Sequence, residues 1–418
     1  MKYMQTVVLA AGEGTRIRPL TANRPKPSLP VTNRSLLAHT LSAAVDAGAT
    51  SITLVVGYEK DAIVDAIGDE FEHTPVEYVV QDVPRGTAHA VRTAKPTLDD
   101  EPFAVLNGDV LYDVDSLETL FESGPAVGSY RVDDPSNYGV LTTADDPSQR
   151  VTGVVEKPDD PPSNLINTGS YVFPADAQAW LDVNQSDRGE MELTDVLDRT
   201  CAEYDVDAVP FERWLDVGRP WELLEANEWK LEELDTDLRG TVSDDATLRG
   251  AVVVEEGAHV KEGVTIEGPA LIREGATVGP NAYVRGSTVV GPDARVGHSV
   301  EVKNSVLMAG ATVGHLSYVG DSILGRDVNF GAGTTVANLR HGDEDVKTVV
   351  KGEVTSTNRR KFGVVLGDGA KTGINTTLNA GVMLPAGSRT MPDETILRTP
   401  ASDDADASES ESATRQTD

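Results

Sequence analysis

A glycine-rich loop with a basic, proline-flanked end, Leu9 to Pro30, has the residue types that hold a polyphosphate. Gly12 and Gly14 can take the positive φ that turns successive backbone N–H groups inward as a phosphate nest. Arg16 and Lys26 add positive charge, and the prolines on both sides of Lys26 restrict its path. For a bare GxG pattern, an ordinary strand-to-helix turn with solvated Arg and Lys is the alternative. The complete pattern favours a nucleotide-binding loop.

Two polar side chains stand beside apolar segments further along the chain. The apolar run from Val105 ends at Asn107-Gly108-Asp109. The Asp109 carboxylate is a hard oxygen ligand for Mg2+, which typically binds through one or two carboxylates plus substrate phosphates. A strand-end turn is the alternative. Gln81, ahead of a predicted helix, can pair its amide with the edge of a pyrimidine, or it is simply part of a polar loop.

The elements that must position these residues alternate between β-branched runs and helical patterns from Thr6 to about Gln81. This alternation predicts βαβ units, and therefore an α/β domain with a Rossmann-like, mostly parallel sheet. Ligands of such sheets sit at the carboxyl ends of the strands, where the Leu9 loop leaves the first strand. A helical pattern over Pro220 to Leu234 closes the domain, predicted as residues 1–234, and the polar residues 235–250 are predicted as a linker.

The charge of the chain limits its partners. Its formal charge is -32, with 68 Asp and Glu against 36 Lys and Arg, so nucleic acid and anionic membranes would be repelled. One cysteine, Cys201, excludes an internal disulfide, and no apolar run is long enough for a signal peptide or a membrane span. We therefore expect a cytoplasmic protein that binds neither nucleic acid nor membrane.

The acid excess recurs in turns such as Asp99 to Glu101, as expected of a protein from a high-salt cytoplasm. In dilute buffer the acidic surface repels itself, whereas at 1 M salt the Debye length falls to about 3 Å. We expect the melting temperature to rise with KCl in a thermal-unfolding series. A flat melting temperature between low and molar KCl would contradict the halophilic interpretation.

Apolar residues recur every six positions in the second half of the chain. The series consists of Val254, Val260, Ile266, Ile272, Val278, Val284, Val290, Val296, Val302 and Met308. A six-residue period is typical of a parallel β-helix, in which each face contributes one inward aliphatic side chain. The period slips after Met308 and resumes at Val313, close to His315. We predict a β-helix over 251–398 and a disordered acidic tail over 399–418.

The pattern Leu9-Ala-Ala-Gly-x-Gly-Thr-Arg, followed by Pro25-Lys26-Pro27, resembles the signature of sugar-1-phosphate nucleotidyltransferases. The resemblance implies Mg2+-dependent nucleotidyl transfer from UTP or dTTP to a sugar-1-phosphate, with release of pyrophosphate. It makes Arg16 and Lys26 catalytic and Asp216 the second Mg2+ ligand beside Asp109. The nucleotide contacts that it implies are Leu9, Ala10, Ala11, Gly12, Gly14, Thr15, Gln81, Gly86 and Thr87.

The identity of the base stays open. Bacterial uridylyltransferases of the bifunctional type carry Asn at the second metal-ligand position, whereas Asp216 resembles the thymidylyl-transferring branch.

Segments between the two carboxylates resemble the sugar-binding segments of the same family. By this resemblance, Gly139, Glu156 and Asn167 hold sugar hydroxyls or an N-acetyl group, and Lys157 approaches the sugar phosphate. The pattern alone would not imply this, because a Glu-Lys pair before Pro is most often a solvated turn.

The strings Gly314 to Asp321 and Asn329 to Gly333 resemble the acetyltransferase half of the bifunctional glucosamine-1-phosphate acetyltransferase/N-acetylglucosamine-1-phosphate uridylyltransferase family. The resemblance implies a left-handed β-helix, a homotrimer, and His315 as the general base in transfer from acetyl-CoA, a role suited to imidazole. It also implies the following contacts: Arg285 and Lys303 for the sugar phosphate, Tyr318, Asn329 and Asn338 for the sugar and its amine, and Ala332 for acyl-CoA. The family's bacterial members have an aromatic residue after the last Asn, whereas here Leu339 begins a charged segment.

Two other functions remain open beside the bifunctional one, which would produce UDP-N-acetylglucosamine in an archaeal, haloarchaeal cell. One is nucleotidyl transfer alone, with the β-helix as an oligomerisation or regulatory module, but the presence of His315, Lys303 and Asn329 speaks against it. The other is a non-catalytic role, since nucleotidyltransferase-like domains with β-helices occur in translation-initiation exchange-factor subunits. Such a subunit would not need the four charged residues of the first domain together, which are Arg16, Lys26, Asp109 and Asp216.

Overall fold

The computed structural model describes residues 4–57, 60–144, 150–186 and 188–400. They form two compact units. The first unit comprises the residues up to Glu13, Pro25–Ser28 and Arg34–Asp216, and the second comprises Gly14–Arg24, Leu29–Asn33 and the chain from Val217 onward. The boundary between the two units in this part of the chain follows Asp216.

The elements between residues 5 and 232 follow the predicted alternation. The strands are β1 (Gln5–Ala10), β2 (Pro30–Val31), β3 (Arg34–Ser35), β4 (Ser51–Val56), β5 (Glu70–Phe71), β6 (Thr74–Val80), β7 (Phe103–Asn107), β8 (Val110–Tyr112), β9 (Ala126–Arg131), β10 (Gly139–Thr143), β11 (Arg150–Glu156), β12 (Leu165–Phe173), β13 (Val206–Pro210) and β14 (Trp214–Asp216). The α-helices are α1 (Leu36–Asp46), α2 (Lys60–Ile67), α3 (Thr87–Ala94), α4 (Val114–Glu122), α5 (Leu193–Glu203) and α6 (Pro220–Glu232). Short 3-10 helices cover Thr15–Ile17, Lys26–Ser28, Lys95–Thr97 and Ala175–Trp180.

Ten of the described strands form the sheet of the first unit, in the order β10-β11-β13-β9-β12-β7-β1-β4-β6-β5. The central strands β7, β1, β4 and β6 are parallel to one another, whereas β12 runs antiparallel to β7 and β9, and β5 runs antiparallel to β6. The predicted α/β class with a mostly parallel sheet is thus confirmed. The parallel strands carry near-continuous apolar runs because both faces of the sheet are covered; Val105 and Leu106 on β7 are both fully buried.

The second unit contains a solenoid of short strands. They are β15 (Asp237–Leu238), β16 (Thr241–Val242), β17 (Thr247–Arg249), β18 (Val252–Val254), β19 (His259–Val260), β20 (Thr265–Glu267), β21 (Ala270–Ile272), β22 (Thr277–Val278), β23 (Tyr283–Arg285), β24 (Thr288–Val290), β25 (Arg295–His298), β26 (Glu301–Lys303), β27 (Val306–Leu307), β28 (Thr312–His315), β29 (Tyr318–Gly320), β30 (Ile323–Leu324), β31 (Asn329–Phe330), β32 (Thr335–Val336), β33 (Lys347–Val350), β34 (Glu353–Ser356), β35 (Val365–Leu366), β36 (Thr377–Leu378), β37 (Met383–Leu384) and β38 (Thr395–Ile396). Apart from β33 and β34, these described strands form three parallel sheets, and every third strand up to β32 joins the same sheet. Each coil thus contributes one strand to each face, which is the arrangement of a parallel β-helix.

The solenoid starts earlier than predicted. Strands β15, β16 and β17, within the predicted linker 235–250, pair in parallel with β18, β19 and β20. The reason is that Val242 and Leu248 extend the six-residue period backwards and pack against the apolar interior. These residues are therefore the first coil rather than a linker.

One member of the apolar series is displaced. Val290 pairs with Leu307, not with Met308, so the coil that ends there is one residue shorter than those before it. Leu307 belongs to the apolar interior of the solenoid. Met308 is buried elsewhere, and its sulfur accepts a hydrogen bond from the Arg24 guanidinium, 3.3 Å away.

An insertion interrupts the later coils of the solenoid. Leu324 pairs with Leu366 of the next coil, and the intervening chain includes the antiparallel hairpin of β33 and β34. The Phe362 N–H donates to the backbone carbonyl of Asn338 over 3.0 Å, so the insertion leaves and rejoins the solenoid at one place. The charged segment that begins at Leu339 is therefore an ordered insertion.

Residues 401–418 of the predicted tail lie outside the described residues. Among the helices that the structure describes, none has both the length and the apolar character needed to cross a membrane. Cys201 lies on α5, where burial raises the pKa of its thiol to about 11.

Candidate active sites

Two carboxylates and a lysine converge in the first unit. Strand β14 pairs antiparallel with β8, and Asp216 stands opposite Val110, beside Asp109. The Lys26 ammonium lies 2.5 Å from a carboxylate oxygen of Asp109 and 3.9 Å from one of Asp216. The Lys26 side chain is only 7% exposed, so these opposite charges compensate a buried cation.

The glycine before Asp109 permits a close approach of two strand ends. Strands β1 and β7 are parallel with Leu9 opposite Asn107, and the Gly108 N–H donates to the Leu9 carbonyl over 2.9 Å. A Cβ on Gly108 would lie 2.8 Å from that carbonyl oxygen. The start of the glycine loop and Asp109 therefore leave the same edge of the sheet from adjacent strands.

The donor set fits a hard divalent cation. Asp109 and Asp216 supply two carboxylates, each within 3.9 Å of the Lys26 ammonium. The described residues contain no larger group of three or more His, Cys, Asp or Glu placed to hold a metal. Mg2+ suits such a set because it keeps several waters and takes the rest of its ligands from substrate phosphates.

Aromatic residues that the sequence analysis did not single out fix the carboxylate-bearing strands. The Trp214 indole N–H donates to the Thr168 carbonyl over 2.9 Å. The Tyr112 hydroxyl accepts from the Asn107 N–H over 3.1 Å and donates to the Gly169 carbonyl over 3.1 Å. Burial raises the pKa of Tyr112 well above its usual value, so the hydroxyl remains a donor. The only signal in the sequence is an aromatic residue near each carboxylate.

The two glycines of the loop, Gly12 and Gly14, differ in backbone conformation. Gly14, in the second unit, has φ 63, and its carbonyl accepts from the Thr21 hydroxyl over 2.8 Å. Gly12 lies outside the left-handed region, contrary to expectation, but a Cβ there would meet nothing within 4 Å. Thr15 and Arg16 form a 3-10 turn after Gly14, and Arg16 is exposed.

A cavity of about 420 Å³ in the first unit is lined by Ala11, Gly57 and Gln81, among others. The buried Gln81 amide nitrogen donates to the Gly86 carbonyl over 3.2 Å and lies 2.8 Å from the His89 Nδ1. Burial lowers the pKa of His89, as do the charges of Arg92 and Arg85. A neutral His89 can accept from the amide nitrogen, which leaves the Gln81 carbonyl oxygen as an acceptor for a donor on a base.

The Gly86-Thr87 turn is docked on a neighbouring backbone. Gly86 has φ 109, and a Cβ there would lie 2.4 Å from the Met191 carbonyl oxygen. The Thr87 hydroxyl accepts from the Leu193 N–H over 2.9 Å, so this side chain also has a structural contact. Only glycine fits at position 86.

The predicted sugar-binding residues also lie together. Glu156 stands opposite Gly139 in the pairing of β10 and β11, 3.4 Å from the Lys157 ammonium. Arg188 and Glu192, which the sequence analysis missed, extend this cluster: Arg188 lies 3.6 Å from Glu156 and 2.7 Å from Glu192. Burial raises the pKa of Glu156, and Glu192 adds to this, while Lys157 and Arg188 oppose it.

Asn167 accounts for the glycine opposite it. Its side-chain oxygen accepts from the Gly169 N–H and the Tyr171 hydroxyl over 3.0 and 2.9 Å. A Cβ on Gly139 would lie 2.1 Å from the Asn167 amide nitrogen. The buried Asn167 therefore shapes the floor of this cluster.

In the second unit, one sheet of the solenoid carries three of the predicted acetyltransferase residues. Arg285 and Lys303 stand in register on β23 and β26, and Tyr318 lies on β29. Arg285 pairs with Glu301 over 2.8 Å. The Asn338 amide donates to the Tyr318 hydroxyl over 3.2 Å.

His315 lies at the end of β28 in a neighbouring sheet of the same solenoid and is exposed. Asn329 begins β31, the next strand of that sheet, and Ala332 follows that strand. His315 is paired in register with His298 of the preceding coil. The insertion departs from the solenoid directly after Asn338.

The parallel α/β sheet with a glycine loop, a buried lysine and paired carboxylates defines a nucleotidyltransferase-type unit followed by a β-helix. Residues 5–233 match the family model described as "Nucleotidyl transferase", and residues 266–390 match the one described as "GMPPB C-terminal domain". The chain belongs to the nucleotidyl transferase family, which confirms the family resemblance of the first domain.

The chain is similar to curated archaeal proteins over most of their length. It is 42% identical over 381 residues to "Bifunctional protein GlmU" of Methanocaldococcus jannaschii, covering 91% of each chain. It is 37% identical over 405 residues to "Bifunctional sugar-1-phosphate nucleotidylyltransferase/acetyltransferase" of Sulfurisphaera tokodaii, covering 94% of this chain and 98% of the other. It is also 37% identical to "Low-salt glycan biosynthesis nucleotidyltransferase Agl11" of Haloferax volcanii, covering 79% and 94%.

A solved structure also resembles the chain. It is that of a UDP-glucose pyrophosphorylase complexed with UDP-glucose, with 25% identity and a TM-score of 0.51, covering 56% of this chain and 100% of the other.

Proposed function

We propose that this chain is a bifunctional enzyme of nucleotide-sugar synthesis. It transfers acetyl from acetyl-CoA to glucosamine-1-phosphate, and it transfers a uridylyl or thymidylyl group from an NTP to a sugar-1-phosphate, giving UDP-N-acetylglucosamine in the uridylyl case. The observation that carries the proposal is the convergence of Lys26, Asp109 and Asp216 at the strand ends of the first unit. The names of the archaeal relatives support the presence of both activities.

For nucleotidyl transfer, Asp109 and Asp216 would hold Mg2+, which when bound neutralises phosphate charge. Lys26, already fixed between these carboxylates, adds a cation beside the α-phosphate, where negative charge develops during attack by the sugar-phosphate oxygen. Arg16, assigned on its motif, neutralises charge on the departing pyrophosphate. Such phosphoryl transfer depends on positioning and electrostatics rather than on covalent help from the protein.

The remaining residues of this activity bind the substrates. Glu156 and Asn167, beside Gly139, bind the sugar, and Lys157 binds its phosphate. The nucleotide is bound by the glycine loop and the Gln81 turn, namely Leu9, Ala10, Ala11, Gly12, Gly14, Thr15, Gln81, Gly86 and Thr87. The cavity lined by Ala11 and Gln81 supports placing the base there.

For acetyl transfer, His315 takes a proton from the amine of glucosamine-1-phosphate as that nitrogen attacks the thioester carbonyl of acetyl-CoA, and the CoA thiolate leaves. Arg285 and Lys303 hold the sugar phosphate. The other contacts are those of Tyr318, Asn329 and Asn338 with the sugar and its amine, and of Ala332 with acyl-CoA.

Several finer features belong to the same proposal. The β-helix is left-handed and the enzyme a homotrimer, as the resemblance of the second half implies. The formal net charge of -32 supports a haloarchaeal source, and the single cysteine supports a cytoplasmic location.

Nucleotidyl transfer alone is the second candidate. It is favoured by the insertion after Asn338, which replaces the aromatic residue of the bacterial enzymes at that point. The β-helix would then act in assembly or regulation.

One assay separates the two candidates. Purified protein with Mg2+ is given UTP or dTTP together with glucose-1-phosphate or N-acetylglucosamine-1-phosphate, and pyrophosphate release is measured. Thiol release from acetyl-CoA is measured in parallel with glucosamine-1-phosphate. We expect both products. Pyrophosphate without thiol release would establish the second candidate, and neither product would overturn both.

A further inference from the structure

A buried carboxylate that the proposed reaction does not use lies among the acetyltransferase residues. The Asp321 side chain is only 4% exposed. Its oxygens accept from the Lys303 ammonium over 2.7 Å and from the Asn338 amide over 2.5 Å. They also accept from the Asn304 amide over 2.9 Å. One carboxylate therefore joins two residues assigned to the sugar phosphate and the acceptor amine.

The backbone at Asp321 is unfavourable for most side chains. Asp321 has φ 51, and Asn304, at the same corner one coil earlier, has φ 45. The corner before that is Gly286, with φ 65, a conformation that glycine adopts without steric cost. Asp and Asn tolerate this conformation better than most residues, and at these two corners the Asn304 amide lies 2.9 Å from an Asp321 carboxylate oxygen.

The surrounding charges allow the carboxylate to stay buried. The Asn304 amide also donates to Glu228 on α6 over 2.8 Å, and Glu228 pairs with the Arg359 guanidinium. The Asn304 amide therefore lies between the carboxylates of Glu228 and Asp321. Arg359 pairs with the first of these carboxylates and Lys303 with the second. Buried carboxylates persist where such pairing satisfies them.

The same contacts decide which atoms face a ligand. Both side-chain amide protons of Asn338 are used, by Asp321 and by the Tyr318 hydroxyl, so the side-chain carbonyl oxygen is left to accept an N–H. Burial raises the pKa of Tyr318, and the Asp321 charge adds to this, so the phenol remains a donor near neutral pH. A Cβ on Gly320 would lie 2.5 Å from the Tyr318 hydroxyl and 2.6 Å from the Asn338 amide, so glycine leaves room for this contact.

We propose that Asp321 is a positioning residue for acetyl transfer: it aims the Lys303 ammonium at the phosphate and the side-chain carbonyl oxygen of Asn338 at the amine of an amino-sugar phosphate. This proposal rests on the proposed acetyltransferase activity. Asp321 does not touch the reacting atoms; it arranges their binding groups before the substrate arrives.

The test is Asp321→Asn in the full-length protein, because Asn keeps the shape and tolerates the same backbone conformation. We expect the KM for glucosamine-1-phosphate to rise by about tenfold or more, with the KM for acetyl-CoA unchanged. Calorimetric titration with glucosamine-1-phosphate alone should show the same loss of affinity. A merely structural role would not move one KM and spare the other.

The controls use residues of the same kind. Asp293→Asn alters an exposed Asp with φ 54 at another corner of the solenoid and should leave both KM values unchanged. Asp321→Gly restores the residue of the equivalent corner at Gly286, so it tests the loss of the carboxylate even where the Asn variant folds poorly. In a Lys303→Met background, Asp321→Asn should have a smaller effect than in the wild type.

The outcomes are distinguishable from failure of the proposed function. A wild-type enzyme without thiol release overturns the acetyltransferase itself. An active wild type with an unchanged KM for glucosamine-1-phosphate in the Asp321 variants overturns only the positioning role, as do equal effects in the presence and absence of Lys303.

Discussion

Asp109→Asn is expected to reduce nucleotidyl transfer by about two to three orders of magnitude without unfolding the protein. The substitution keeps the shape of the strand end, because Gly108 and its contact with Leu9 are untouched, and removes only the anionic charge. Of the two carboxylates, only that of Asp216, 3.9 Å from the Lys26 ammonium, would then remain. The measurement is pyrophosphate release at saturating Mg2+, NTP and sugar-1-phosphate.

Two internal references make this result interpretable. Thiol release from acetyl-CoA should be unchanged, since it depends on the second unit. Asp115→Asn, in the exposed first turn of α4, removes the same charge nearby and should retain full activity. Wild-type pyrophosphate release from the Asp109 variant would remove Asp109 from the proposed metal site.

The first-unit site was largely predictable because two physical rules act together. An apolar run that ends on a charge marks a strand end, and parallel strands bring their carboxyl ends to one edge of the sheet. These rules are sufficient to place Asp109 beside the glycine loop. Asp216 needed the family resemblance, because its neighbour β8 is an antiparallel partner that no local period reveals.

The periodic solenoid was predictable in its centre and not at its irregularities. Leu307 and Met308 are adjacent apolar residues, so either fits the inward position until the pairing with Val290 is known. The first coil was missed because polar residues surround Val242 and Leu248, and a six-residue period is weak where only two members remain.

Contacts between distant residues left no trace in the sequence pattern. Arg24 is buried against Asp368, far away in the chain, and burial lowers the pKa of its guanidinium despite that partner. Asp321 gathers Lys303 and Asn338 in the same way. Such pairs depend on which segments of the chain become neighbours, and that follows from the complete fold rather than from local residue types.

His315→Ala is expected to lower acetyl transfer by about 10²- to 10⁴-fold, the usual contribution of a general base, and to leave pyrophosphate release unchanged. His315 is exposed at the end of β28, so its loss leaves no cavity in the apolar interior. Solenoid coils touch mainly their neighbours, and the effect of the substitution should therefore stay local. Thiol release with glucosamine-1-phosphate as acceptor measures the first activity, and pyrophosphate release measures the second.

His259→Ala is the matched control, because His259 is an exposed histidine on β19 of the same sheet, several coils from His315. It should retain both activities. A His315 variant that keeps wild-type thiol release would exclude the general-base role and would favour a β-helix that serves assembly alone. A loss of both activities would instead show that the variant is misfolded, because a proton acceptor for an amine has no part in releasing pyrophosphate.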